Sequence, residues 1–109
     1  MTYKMTPKYQ KVLTELIGEK WINIDYSEQY PLSNKMNRTF TTDPDMMKAF
    51  RCLVDNGKWV DFLDWVYCER YEQHIEKLFE NICLFHAWLK YDAERFCCLV
   101  AQAKEEVVI

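Results

Sequence analysis

Apolar residues recur at helical spacing over most of the chain. Tyr9, Val12, Leu13, Leu16 and Ile17 fall on one side of a segment that begins at Pro7. Thr6 is a natural N-cap for it, Pro7 suits the first helical position, and Gly18 marks a stop, so a helix is expected over 7–17. Trp21 to Tyr26 alternates apolar and polar positions, which admits one short strand near residues 21–26. Residues 27–43 have no period and are rich in Pro, Ser, Asn and Thr, the composition of a long loop. A second helix is expected from Asp43-Pro44, with Met46, Met47, Phe50, Leu53 and Val54 as its apolar face and Asn56-Gly57 as its end.

From Lys58 to Lys90 neither Pro nor Gly occurs, and Leu63, Tyr67, Tyr71, His74, Ile75, Leu78, Ile82, Phe85 and Leu89 cluster on one side at about 100° per residue. One very long helix or two helices broken near Glu69–Glu72 both satisfy this pattern, and usual helix lengths favour the break. Asp92 is a candidate N-cap for a last helix with Phe96, Leu99, Val100 and Ala103 inward. The tail from Glu105 to Ile109 is expected to fray. The expected architecture is an all-α bundle of about five helices in a single domain, 1–109. The alternative is an α+β fold if residues 21–26 find a strand partner.

Composition narrows the function classes. The 109 residues fit one domain. Two glycines and three prolines are too few for a turn-rich sandwich or barrel. Fourteen Lys and Arg against seventeen Asp and Glu give a net charge of -3, which argues against direct nucleic-acid binding or docking on anionic lipid. Residues 1–20 mix charges among their apolar positions, unlike a signal peptide, and no apolar run reaches the ~18 residues of a membrane span. The five cysteines have no regular framework, and a cytoplasmic location is expected. Seventeen aromatic residues exceed what so small a core can bury, so some rings should reach the surface, where rings beside charge suit partner binding.

Candidate chemistry is sparse. Cys68, His74, Cys83 and His86 are the best metal-like set, but only Cys83 and His86 have a spacing that shares a helix face. A continuous helix does not bring all four around one ion, and no metal site is expected. Cys97-Cys98 is a vicinal pair diverging by about 100°, so one thiol should face the core and the other a neighbour or water. It lacks the CxxC spacing of a thiol oxidoreductase. With no glycine-rich phosphate loop, GxSxG or HExxH, no catalytic site, no cofactor and no enzymatic activity are expected.

Charge is more informative. Asp61, Asp64, Glu69, Glu72, Glu76 and Glu80 fall on one arc of the 58–90 stretch, accompanied between residues 61 and 80 by only Arg70 and Lys77. Basic residues gather instead in the N-terminal helix and at Lys35, Arg38, Lys48 and Arg51. Such an arc is either the solvated side of an amphipathic helix or an acidic ridge that docks on a basic surface. As partner-binding residues the ridge reading selects Asp64, Glu69, Glu72, Glu76 and Glu80. The helix pair 44–55 and 58–68 has the outline of a helix-turn-helix, but its second helix would present Asp61 and Asp64 to phosphates, the wrong sign for DNA.

The segment Asn37-Arg38-Thr39-Phe40-Thr41-Thr42-Asp43-Pro44 with its following amphipathic helix resembles small proteins encoded by bacteriophages. The run from Trp88 to Val100 is similar to them as well, and together the two cover 21 of 109 residues. Some phage proteins with a similar TTDP start are assigned to an α-β-α sandwich, from which this helix-rich chain departs. The resemblance implies a small accessory protein in the host bacterial cytoplasm that binds and inhibits a host protein or nucleoprotein complex with a basic surface. CRISPR effectors and other defence complexes are such targets, which would make the chain an anti-CRISPR or other anti-defence protein. The alternative is a small regulatory or structural helical module, a homodimer whose surplus rings meet across a two-fold axis.

Overall fold

A computed structural model describes residues 3–22, 37–70 and 89–109. It shows an all-α bundle with no strand among the described residues. Four helices are described: α1 (Pro7–Leu16), α2 (Asp43–Asp55), α3 (Trp59–Glu69) and α4 (Ala93–Glu105). Trp21 and Ile22 take no strand conformation, and residues 23–26 lie outside the described residues.

The local signals act where the sequence puts them. Thr6 caps α1, its hydroxyl accepting the Tyr9 N–H at 3.2 Å, and Pro7 follows as the first helical residue. Asp92 caps α4 by accepting the Arg95 N–H at 3.2 Å. α1 ends one residue before the expected Ile17, which becomes its C-cap, and α3 ends at Glu69 with Arg70 as C-cap.

α1, α2 and α4 close their last turns in the same way. Gly18 (φ +81°) and Gly57 (φ +67°) take the left-handed conformation after α1 and α2. The next residue bonds back across the turn, Glu19 N–H to Thr14 at 3.0 Å and Lys58 N–H to Leu53 at 2.8 Å. After α4 the left-handed position is Val107 (φ +59°), and the Val108 N–H reaches the Ala103 carbonyl at 2.9 Å. The expected fraying of the tail is therefore corrected. Once Val107 turns the chain back, Val108 and Ile109 pack against the core, and that contact offsets the strain of a β-branched residue with positive φ.

α4 is the central helix. It packs against α1, α2 and α3, and Ala93, Phe96, Cys97, Cys98, Leu99, Val100, Ala101 and Ala103 are all buried. An aromatic cluster fills the space where α2, α3 and α4 meet. The ring of Trp59 lies 4.7 Å from Phe50, 5.8 Å from Phe62 and 6.2 Å from Phe96, and Phe62 lies 5.7 Å from Phe96.

Candidate functional site

α3 carries the acidic face. Its buried residues, Phe62 and Val66, point to the core, while Asp61, Asp64 and Glu69 are exposed. Glu72, Glu76 and Glu80, the rest of the expected ridge, lie outside the described residues. At about 100° per residue Asp64, Asp61 and Glu69 span an arc about 140° wide, with the half-buried Trp65 between them. None of the three carboxylates has an ion-pair or hydrogen-bonding partner among the described residues. Asp61 lies in the first turn of α3, where a negative charge is favoured by the helix dipole; Glu69 lies in the last turn, where it is opposed.

Arg70 follows Glu69 but does not neutralise it. Its guanidinium stacks over Trp65 at 4.5 Å, donates from Nε to Gln102 at 3.2 Å, and pairs with Glu106 across the end of α4. Arg70, one of the two cations within the acidic stretch, is thus taken up in joining α3 to α4, and the other, Lys77, lies outside the described residues.

A second acidic group is paired within the fold. Arg38 binds Glu19 through two parallel hydrogen bonds, Nε at 2.7 Å and Nη2 at 3.0 Å, and Asp45 through Nη1 at 3.0 Å. Asp45, only 6% exposed, also accepts the Phe40 N–H at 3.1 Å, and Lys48 reaches Glu19 at 3.2 Å. These bonds hold Phe40, fully buried with φ +56°, under the start of α2. Arg38 above all, assisted by Lys48, holds the Glu19 carboxyl below its usual range, and Glu19 and Asp45 push the guanidinium pKa further up. Of the basic residues at Lys35, Arg38, Lys48 and Arg51, Arg38 and Lys48 are counter-ions of Glu19 and Asp45, Arg51 has no such partner among the described residues, and Lys35 lies outside them. Sequence reading missed this network because nothing local links Glu19 to Arg38, nineteen positions later.

The cysteines divide by environment. Cys97 and Cys98 are both fully buried; Cys97 belongs to the core cluster and Cys98 does not, so the divergent pair sets one thiol in the core and the other against neighbouring residues rather than water. α4 is surrounded by other helices, so the thiol that points away from the core cluster is covered as well. Burial pushes both up to about 12, with Asp45 beside Cys97 and Glu94 beside Cys98 adding to the shift. Neither is a ready thiolate at neutral pH. Cys68 is exposed, and its expected companions His74, Cys83 and His86 lie outside the described residues. Among the described residues no three His, Cys, Asp or Glu side chains converge as metal ligands.

A hollow of about 580 Å³ opens between the end of α1 and the side of α2. Leu16, Ile17, Met47 and Cys52 supply its apolar wall and Glu19, Lys48, Arg51 and Asp55 its charged rim. The Cys52 thiol donates to the Leu16 carbonyl at 3.3 Å and accepts from the Asn56 amide at 3.3 Å, so it joins the two helices. No described helix is long and apolar enough to cross a membrane.

No protein-family model, curated protein or solved structure matches the chain.

Proposed function

We propose that the chain is a non-enzymatic, phage-type protein that docks its acidic α3 face on a basic surface of a host protein or nucleoprotein complex and inhibits it, as an anti-CRISPR or other anti-defence protein does. The observation that carries this reading is the state of the three acids on α3. Asp61, Asp64 and Glu69 are exposed and lack counter-ions among the described residues, while Glu19, Asp45, Glu105 and Glu106 each have one. Carboxylates left unpaired on a rigid helix can compete for cationic sites built for phosphate, and their mutual repulsion is relieved when a basic partner covers them. DNA binding through the same helix is disfavoured by the same charges. In this reading the protein works in the cytoplasm of an infected bacterium, without cofactor or metal.

The test is capture from bacterial lysate by the tagged wild-type chain and by a chain carrying Asp61→Lys, Asp64→Lys and Glu69→Lys together. A specific complex retained by wild type, weakened by salt and lost in the triple variant supports the proposal. Equal capture by a folded triple variant reduces the face to a solvated helix side.

A further inference from the structure

α2 leaves one side to solvent, and that side is complementary to itself. At about 100° per residue Asp43, Met47, Arg51 and Val54 fall within an arc about 80° wide. All four are exposed, Met47 by 49% and Val54 by 46%, although both are apolar. Asp43 and Arg51 have no ion-pair partner among the described residues. Met47 forms a ridge between two hollows: the cleft against α1 on one flank, and a dimple of about 80 Å³ made with Met46, Phe50, Lys90 and Phe96 on the other.

The charges are placed symmetrically about that ridge. Asp43 precedes Met47 by four residues and Arg51 follows it by four, each about 6 Å away along the helix axis. We infer that this face pairs with a second copy of the chain, α2 lying antiparallel to its counterpart across a two-fold axis through Met47. In that register each Asp43 meets the other copy's Arg51, so two equivalent ion pairs flank a Met–Met contact. Each Met47 ridge has a hollow to enter, and Val54 extends the apolar strip. A parallel arrangement sets Asp43 against Asp43 and Arg51 against Arg51 and is disfavoured by repulsion. One helix face and its flanking hollows belong to the small class of interfaces, below about 1,200 Å² in total, so dissociation at about 10–100 µM is expected. The pairing leaves the α3 acids uncovered and does not depend on the function proposed for them.

Sedimentation of the full chain from ~1 µM to ~1 mM spans the expected transition between monomer and dimer. The wild type should double its mass from 13.3 kDa over that range. Met47→Asp should remain a monomer with unchanged helicity. Asp43→Arg and Arg51→Asp should each weaken association about tenfold, and their combination in one chain should restore it, because the exchanged charges again meet opposite signs. A wild type that stays monomeric throughout overturns the inference. Dimers that persist in folded Met47→Asp place the interface elsewhere and overturn it equally. A double charge exchange no better than the single changes rejects the antiparallel register, and that comparison decides the matter even if Met47→Asp fails to fold.

Discussion

Two acidic groups of this protein use the same chemistry for opposite ends. Glu19 and Asp45 converge on Arg38, with Lys48 closing the network, and they fasten the segment before α2 to the end of α1. Asp61, Asp64 and Glu69 stand on α3 with no cation paired to their carboxylates among the described residues. In the first group charge supports the fold, because removing either partner leaves a half-buried guanidinium or a buried carboxylate without its counter-charge. In the second it makes no ion pair within the described fold; the helix dipole favours Asp61 and opposes Glu69. A carboxylate's contribution depends on what faces it, and the difference gives sharp experimental contrasts.

The largest effect is expected at Asp45. Asp45→Ala removes the acceptor of the buried Phe40 N–H together with one of the two carboxylates on Arg38. Loss of about 2–3 kcal/mol is expected, since an unsatisfied buried donor and a weakened ion pair add. For a chain of this size that lowers Tm by ~10 °C or more. Asp45→Asn keeps an oxygen for Phe40 and should lose less than half as much. Thermal unfolding of both variants beside Asp64→Ala measures the contrast directly, and an Asp45→Ala chain as stable as Asp64→Ala would erase it.

How far the sequence reveals this contrast depends on the range of the interaction. Thr6, Pro7, Gly18, Asn56-Gly57 and Asp92 set helix ends through bonds to residues within five positions, and each is legible as a cap or a stop. The solvent side of α3 follows from its period alone, which is why Asp64 and Glu69 fall where expected. Arg38 gives no such signal: its partners are nineteen positions before and seven after, and only the packing of α1 on α2 brings them together. The full burial of Cys98 is hidden for a related reason. Helical phase distinguishes two faces, but a central helix with Ala and Cys on several sides is buried nearly all round. At Val107 local preference points the wrong way, because the left-handed position that glycine fills after α1 and α2 is imposed there by the packing of Val108 and Ile109.

The next effect is pH dependence. The folded pKa of Glu19 is held below the usual 4.5 by Arg38 and then Lys48, so its contribution is complete above about pH 4.5 and is lost as pH falls through the lower folded value. Glu19 is about a third exposed, so its share is about 1 kcal/mol at most. Stability measured from pH 7 to pH 2.5 should fall on the acid side, and Glu19→Gln should be less stable at pH 7 with a shallower acid decline. An unchanged decline in Glu19→Gln would show that this network is not what titrates.

The smallest effect on stability is expected where the largest effect on binding is proposed. Replacing Asp61, Asp64 and Glu69 together with Lys alters three exposed side chains whose carboxylates have no partner among the described residues. Asp61→Lys loses a favourable position at the helix start, and Glu69→Lys gains one at its end, so the two dipole contributions largely cancel. Asp64 lies between them, and an exposed change there shifts stability by about 0.5 kcal/mol or less. Tm of the triple variant should therefore stay within a few degrees of wild type in low salt and converge on it as salt screens the remaining repulsion. A large destabilisation would mean that these carboxylates are held by the fold as Glu19 and Asp45 are. An unchanged fold with lost capture of the host complex makes the face a binding surface, because the substitutions then alter only what approaches from outside.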